Sequence, residues 1–191
     1  YASYLKSQGL EGEWVVVGHD RRYQGENFAS AVAEVLAGNG FHVYLTDGPT
    51  PTPVISYSVL AREGAAAVNV TASHNPFTDN GFKVRDENGG AVAPEGLREI
   101  EENIPASEAE VKRIPYSEAV DQGLIVRFDP APDYISHIEE LIDLDPIREA
   151  GLKILVDPMW GNSAGWFPRL LEGGSTRVME IHKTRNPLFP D

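Results

Sequence analysis

Cysteine is absent from the 191 residues, which excludes a disulfide framework, thiolate zinc sites and a cysteine nucleophile together. Basic charge is scarce: 16 Lys and Arg stand against 29 Asp and Glu, a formal net charge of −13. So acidic a chain has no basic stripe to neutralise a phosphate backbone, and nucleic acid is not expected as a partner. No basic amphipathic stretch occurs either, which argues against binding to an anionic membrane surface. The apolar runs are of strand length, well short of the roughly 20 residues that cross a bilayer. No signal peptide opens the chain, so a soluble cytoplasmic protein is the expectation. Neither G-x-x-x-x-G-K-[ST] nor G-x-G-x-x-G is found, and with them go the P-loop and the dinucleotide fingerprint. What remains is 41% hydrophobic residues with 18 glycines and 14 prolines, a balance that suits an α/β protein with tight loops.

The apolar pattern alternates between two periods. Trp14 to Val17 is a short β-branched run that reads as a buried strand, ending in the polar turn Gly18 to Arg22. Phe28, Ala31, Val32, Val35 and Leu36 recur three and four apart and predict a helix stopped by Gly38 and Gly40. Phe41 to Leu45 predicts a second strand. Thr52 before Pro53 reads as an N-cap with proline at the first helical position, leading a helix that ends near Gly64. Ala65 to Val70 is a third strand and Phe82 to Arg85 a short fourth, followed by a helix from Pro94. Strands alternating with helices predict right-handed βαβ units and a mainly parallel sheet.

Residues 105–129 lose periodicity and read as a linker. Beyond them, Tyr134, Ile135, Ile138, Leu141 and Ile142 form a helical stripe, Leu152 to Val156 a strand, Ala164 to Leu171 a short helix and Arg177 to Ile181 another strand. A unit of about 60 residues is marginal for independent stability. The division expected is 1–124 and 125–191, the second unit being the first part of a domain. Tyr1, Tyr4 and Leu5 already resemble one face of a helix, and Asn186 to Asp191 reads as a loop that leads onward. Both ends give the expectation of a piece of something longer.

In open α/β sheets ligands sit outside the carboxyl ends of the strands. Two polar clusters fall there, Gly18 to Arg22 and Thr71 to Pro76. The second displays Ser73 between small or turn-forming residues, with Asn75-Pro76 enforcing a bend. From spacing alone, an ordinary polar turn is the simpler reading. A hydrolase elbow needs glycine-like positions two residues either side of the serine, and these are Thr71 and Asn75. Adjacent His74 is an unpromising base for such a serine, since neighbouring side chains on a tight turn usually diverge. Phosphate chemistry fits better: Arg21, Arg22, His74, Lys83 and Arg85 are five candidate cations near these loops, able to make a local positive site in an acidic chain.

Thr71-Ala72-Ser73-His74-Asn75-Pro76 followed by Asp79-Asn80-Gly81-Phe82-Lys83-Val84 resembles the active-serine signature of the α-D-phosphohexomutase superfamily. Gly18, Asp20 and Arg22 resemble its G-x-D-x-R turn, and Asp157 to Gly161 with Asn186 to Phe189 is similar to its second domain. The resemblance implies a three-layer α/β/α first domain lacking its N-terminal strand, plus the opening of a second similar domain. It implies a mutase that interconverts hexose 1-phosphate and hexose 6-phosphate, glucose first, through a phosphoserine and a bisphosphorylated sugar. Ser73 is then the phosphoryl carrier, a covalent intermediate that splits one migration into two transfers. His74 and Lys83 match positions beside it. Lys83 is the candidate for proton transfer, which requires a pKa well below the usual ~10.4, and Arg22 the source of positive charge on the transferred group. Mg²⁺ held through the Ser73 phosphate and a glucose 1,6-bisphosphate-type activator are implied with them. The family's D-G-D-x-D-R metal loop does not occur in this sequence, so the other metal ligands are expected beyond residue 191 and the 191-residue chain is expected to isomerise nothing alone. Two other classes stay open: a catalytically retired homologue that serves as a binding module, and a phosphoserine enzyme that hydrolyses.

Overall fold

A computed structural model describes residues 1–190. In chain order the elements are α1 (Ala2–Ser7), β1 (Trp14–His19), α2 (Gly25–Gly38), β2 (His42–Thr46), α3 (Thr52–Ala61), β3 (Ala66–Val70), β4 (Phe82–Arg85) and α4 (Pro94–Glu102). They continue with α5 (Tyr116–Asp121), β5 (Ile125–Phe128), α6 (Ala131–Leu141), α7 (Asp145–Glu149), β6 (Lys153–Val156), α8 (Trp166–Leu171) and β7 (Arg177–Glu180). Strands β1 to β5 form one sheet in the order β4-β3-β1-β2-β5, parallel except for β4, which pairs antiparallel with β3. This is the mainly parallel sheet that the pattern predicts, with helices on both sides as the resemblance implies.

The period of two along β1 explains the layers. Val15 and Val17 pack with Ala29, Ala33 and Leu36 of α2, whereas Val16 packs with Ile55 and Val59 of α3 on the opposite face. All three valines are fully buried, as parallel strands covered on both faces require. The face of α2 that meets the sheet is set by size. Gly25, Ala29, Ala33 and Ala37 lie inward with Leu36, because small residues allow a helix to approach a sheet closely. Phe28 of the predicted stripe is 47% exposed. With Ala31, Val32 and Val35 it lines an open apolar groove against Tyr1, Val70 and Phe82.

Two local expectations are corrected. Pro51, not Thr52, is the N-cap of α3, and no side chain caps that helix. The Thr52 hydroxyl instead accepts a hydrogen bond from the buried Asn69 amide at 2.8 Å, a partner on β3 that satisfies a buried polar group. Nor are residues 105–129 a linker. Within them α5 contributes buried Ala119 to the core and β5 pairs parallel with β2. The Glu34 carboxylate accepts the Tyr116 N–H at 2.9 Å, and the Glu34 carbonyl accepts the Ile114 N–H at 3.2 Å. The first sheet thus runs past the expected division at 124/125.

Strands β6 and β7 form a separate two-stranded parallel sheet. Leu155 and Met179 lie side by side in that register at 64% and 66% exposure. Its anchor is Thr176, fully buried, which donates to the Ile147 carbonyl at 2.6 Å and accepts the Leu152 N–H at 3.1 Å.

Candidate functional site

The carboxyl ends of β1 and β3 are neighbours, Gly18 facing Asn69 and His19 facing Val70. The Asp20 N–H donates to the Val70 carbonyl at 3.1 Å and the Thr50 N–H to the His19 carbonyl at 2.8 Å. Three loops are thereby drawn to one place: Gly18 to Arg22, Thr71 to Gly81, and the entry to α3. They enclose an open cavity of about 500 Å³ whose wall includes Asp20, Arg21, Thr52, Ser73, His74 and Asn162.

Ser73 is exposed and takes a left-handed backbone with φ 58°, a conformation that costs a non-glycine residue about 1–3 kcal/mol and persists only when its surroundings impose it. Those surroundings can be traced bond by bond. The Ser73 N–H donates to the Thr71 hydroxyl at 3.0 Å, and that hydroxyl donates to Asp20 Oδ2 at 2.6 Å. Asp20 Oδ1 accepts the Arg22 N–H at 2.9 Å. Loop closure needs Gly81, where a Cβ would stand 2.6 Å from the Thr71 carbonyl oxygen. The Thr71 N–H in turn donates to the Gly81 carbonyl at 3.0 Å.

The left-handed turn brings Ser73 Oγ and His74 Nδ1 to 3.4 Å, so the adjacent side chains converge where divergence was expected. Of the five candidate cations, Arg21, Arg22 and His74 reach the cavity wall; Lys83 and Arg85 on β4 do not. Arg85 lines a separate groove beside Tyr1 and Tyr4. Arg22 is 5% exposed, and its guanidinium is occupied by the protein, with Nε 3.2 Å from Asp20 Oδ2 and the terminal nitrogens on loop carbonyls. Burial pushes the Arg21 guanidinium below its ordinary pKa, yet an arginine stays charged at neutral pH.

Three further parts of the wall were not singled out as site residues from the sequence. The positive end of the α3 dipole opens on it through Pro51, Thr52 and Pro53. Asn162 comes from the second unit and donates to the Thr50 carbonyl at 2.9 Å. Phe189 lies with its ring centroid 5.8 Å from Arg22 Cζ. Asp20 did carry a signal, its place in the G-x-D-x-R turn. Helix dipole, Arg21 and His74 together favour an anion.

The resemblance implies Mg²⁺. Among the described residues Asp20 is the one carboxylate in the wall, and both its oxygens are engaged by Arg22 and Thr71. No group of three or more His, Asp or Glu stands together that could hold a metal ion among the described residues. The described side chains therefore do not compose a Mg²⁺ shell, and no step below is routed through the ion. Among the described residues, no helix is long and apolar enough to cross a membrane.

The family profile of phosphoglucomutase/phosphomannomutase, α/β/α domain I, matches residues 1–111. A phosphoglucomutase of Komagataeibacter xylinus is 29% identical over 98% of this chain and 36% of its own length. A phosphoglucosamine mutase of Paenarthrobacter aurescens is 35% identical over 87% of this chain and 35% of its own. The chain thus spans little more than a third of these relatives. A solved structure from Thermus thermophilus superposes with a TM-score of 0.83 at 32% identity, covering 99% of this chain and 41% of that one.

Proposed function

Because this chain belongs to the phosphoglucomutase/phosphomannomutase family, we propose that Ser73 carries the phosphoryl group of a phosphosugar mutase acting on hexose 1- and 6-phosphates. The observation that carries this reading is an exposed serine, held in a left-handed backbone, at a cavity where Arg21, His74 and a helix N-terminus converge. In one half-reaction the bond from phosphorus to Ser73 Oγ breaks and a bond to a sugar hydroxyl oxygen forms. The hydroxyl's proton passes to a base, the role that the resemblance gives Lys83, and Oγ takes up a proton that His74 at 3.4 Å is placed to supply. The bisphosphorylated sugar turns over and returns its other phosphoryl group to Ser73. A glucose 1,6-bisphosphate-type activator restores the phosphoserine whenever that intermediate escapes.

Lys83 keeps its proton-transfer role on the resemblance alone, since it lies outside the cavity wall. Glucose phosphate is the first choice of substrate, with mannose and glucosamine phosphates as the alternatives that the names of the relatives leave open. Mg²⁺ held through the Ser73 phosphate stays an implication of the resemblance, since the described side chains supply no shell for it. We also propose that the two units divide after Phe128, where the first sheet is complete.

The test is intact-mass and peptide analysis of the protein purified from its own cells, which should find one phosphate on Ser73. The Ser73→Ala variant of the full-length protein should carry none and lose mutase activity. Phosphate at another residue, with Ser73→Ala fully active, would overturn the reading.

A further inference from the structure

We propose that Arg22 is a positioning residue for Ser73: its guanidinium acts as the hub around which the serine loop is folded. This rests on the reading of Ser73 as the phosphoryl carrier and replaces the charge-donor role that the resemblance implies for Arg22. Nη1 donates to the Pro76 carbonyl at 2.6 Å and the Asp79 carbonyl at 3.0 Å. Nη2 donates to the Ser73 carbonyl at 2.9 Å and the Asn75 carbonyl at 2.7 Å. Nε faces Asp20 Oδ2 at 3.2 Å, so all five N–H groups of the fork are spent. None is left for a phosphoryl oxygen, and the Phe189 ring lies over the guanidinium carbon at 5.8 Å.

The loop cannot make this shape alone. Its own backbone contributes two turn bonds, Asn75 N–H to the Ala72 carbonyl and Asp79 N–H to the Pro76 carbonyl. Four carbonyl dipoles aimed at one point repel one another unless a cation sits between them, and the backbone turn bonds supply a donor to the Pro76 carbonyl but none to those of Ser73, Asn75 and Asp79. Arg22 supplies both the charge and the donors.

The bonds close into a ring. Arg22 holds the Ser73 carbonyl, the Ser73 N–H is held by Thr71, Thr71 donates to Asp20, and Asp20 pairs back to Arg22. The peptide groups on both sides of Ser73 are thus fixed, which sets its φ and aims Oγ. Lysine cannot replace this hub, because a point charge with three donors lacks the planar five-donor fork.

The experiment uses the 191-residue chain with Arg22→Ala and Arg22→Lys, read by backbone NMR shifts and amide exchange. In both variants the signals of residues 73–79 should move towards random-coil values and their amides exchange at least about tenfold faster. The amides of β1 and β3 should stay protected. Guanidinium ion, added far below denaturing concentration, should restore the loop signals of Arg22→Ala, and ammonium at the same concentration should not. Native loop signals in both variants, or full rescue by lysine, would overturn the proposal. If Arg22→Ala fails to fold, Arg22→Lys decides by the same criteria. These readouts need no phosphorylation, so a failed assignment of Ser73 as carrier leaves the loop result intact and separately visible.

Discussion

His19 ends β1 with its residue 5% exposed, and its Nδ1 lies 2.8 Å from the Asp20 carbonyl oxygen. A carbonyl only accepts, so Nδ1 carries the proton and the neutral ring has its free lone pair on Nε2. Burial is the largest influence and pushes the imidazole below its ordinary pKa of 6.5, against smaller opposing effects from the Asp20 carbonyl and Glu26. As pH falls through 6.5 the unfolded chain takes up a proton before the native one does. This contribution to stability is therefore complete above 6.5, declines towards the lower folded pKa, and is level below it. Urea titrations between pH 7.5 and pH 5 should show this loss in the parent protein and a smaller one in His19→Gln. Equal slopes in the two proteins would mean that the ring is not desolvated as its burial indicates.

At the scale of elements, the decisive contact is between α2 and the segment before α5. Gly38 closes α2 with the Arg113 backbone so near that a Cβ would stand 2.6 Å from Arg113 Cα. Backbone cannot swing aside as a side-chain tip can. Gly38→Ala must therefore displace the 111–116 segment, and with it the Glu34 bonds that lead into α5 and β5. Overpacking of this kind costs typically 1–3 kcal/mol, which outweighs the helix propensity gained by replacing glycine, about 1 kcal/mol. A lower urea midpoint is the expected result, with faster amide exchange in α5 and β5. An unchanged or raised midpoint would show that the segment is only loosely docked.

For the whole molecule, the joint between the two units converges on Arg185. Its guanidinium forms a bidentate pair with Glu26 at 3.0 and 2.7 Å and also donates to the Arg21 and Arg22 carbonyls at 3.1 and 2.7 Å. Arg21 returns the contact by donating to the Lys183 carbonyl at 2.6 Å. The Arg185 bond holds the Glu26 carboxyl below its ordinary pKa, so the pair weakens as pH falls through that depressed value. A bidentate pair with two added carbonyl bonds exceeds the usual worth of a surface ion pair, which is about 0–1 kcal/mol. Arg185→Ala should raise the rate of proteolytic cleavage in residues 182–190 several-fold and leave the urea midpoint of the five-stranded sheet nearly unchanged. Cleavage at the parent rate would show that Asn162 on Thr50 and the Phe189 contact hold the units without Arg185.

The local patterns by themselves determined the strand–helix alternation and the mainly parallel sheet, and they set the Thr71 to Pro76 turn at the carboxyl end of a strand, while its proposed chemistry rests on the resemblance. Such features depend on residues close in sequence: β-branched runs, helical spacing and turn formers. The motif around Ser73 was legible for the same reason. Only the tertiary structure decided that β5 joins the first sheet, because its pairing with β2 spans about 80 residues and short strands lack a periodic signal. It also turned the small side of α2 inward, since closeness of approach to the sheet outweighs hydrophobicity at Phe28. The role of Arg22 was hidden for a third reason. A guanidinium beside a phosphate loop reads from sequence as charge for a ligand, whereas the carbonyls that consume its donors converge only when residues 73–79 fold around it.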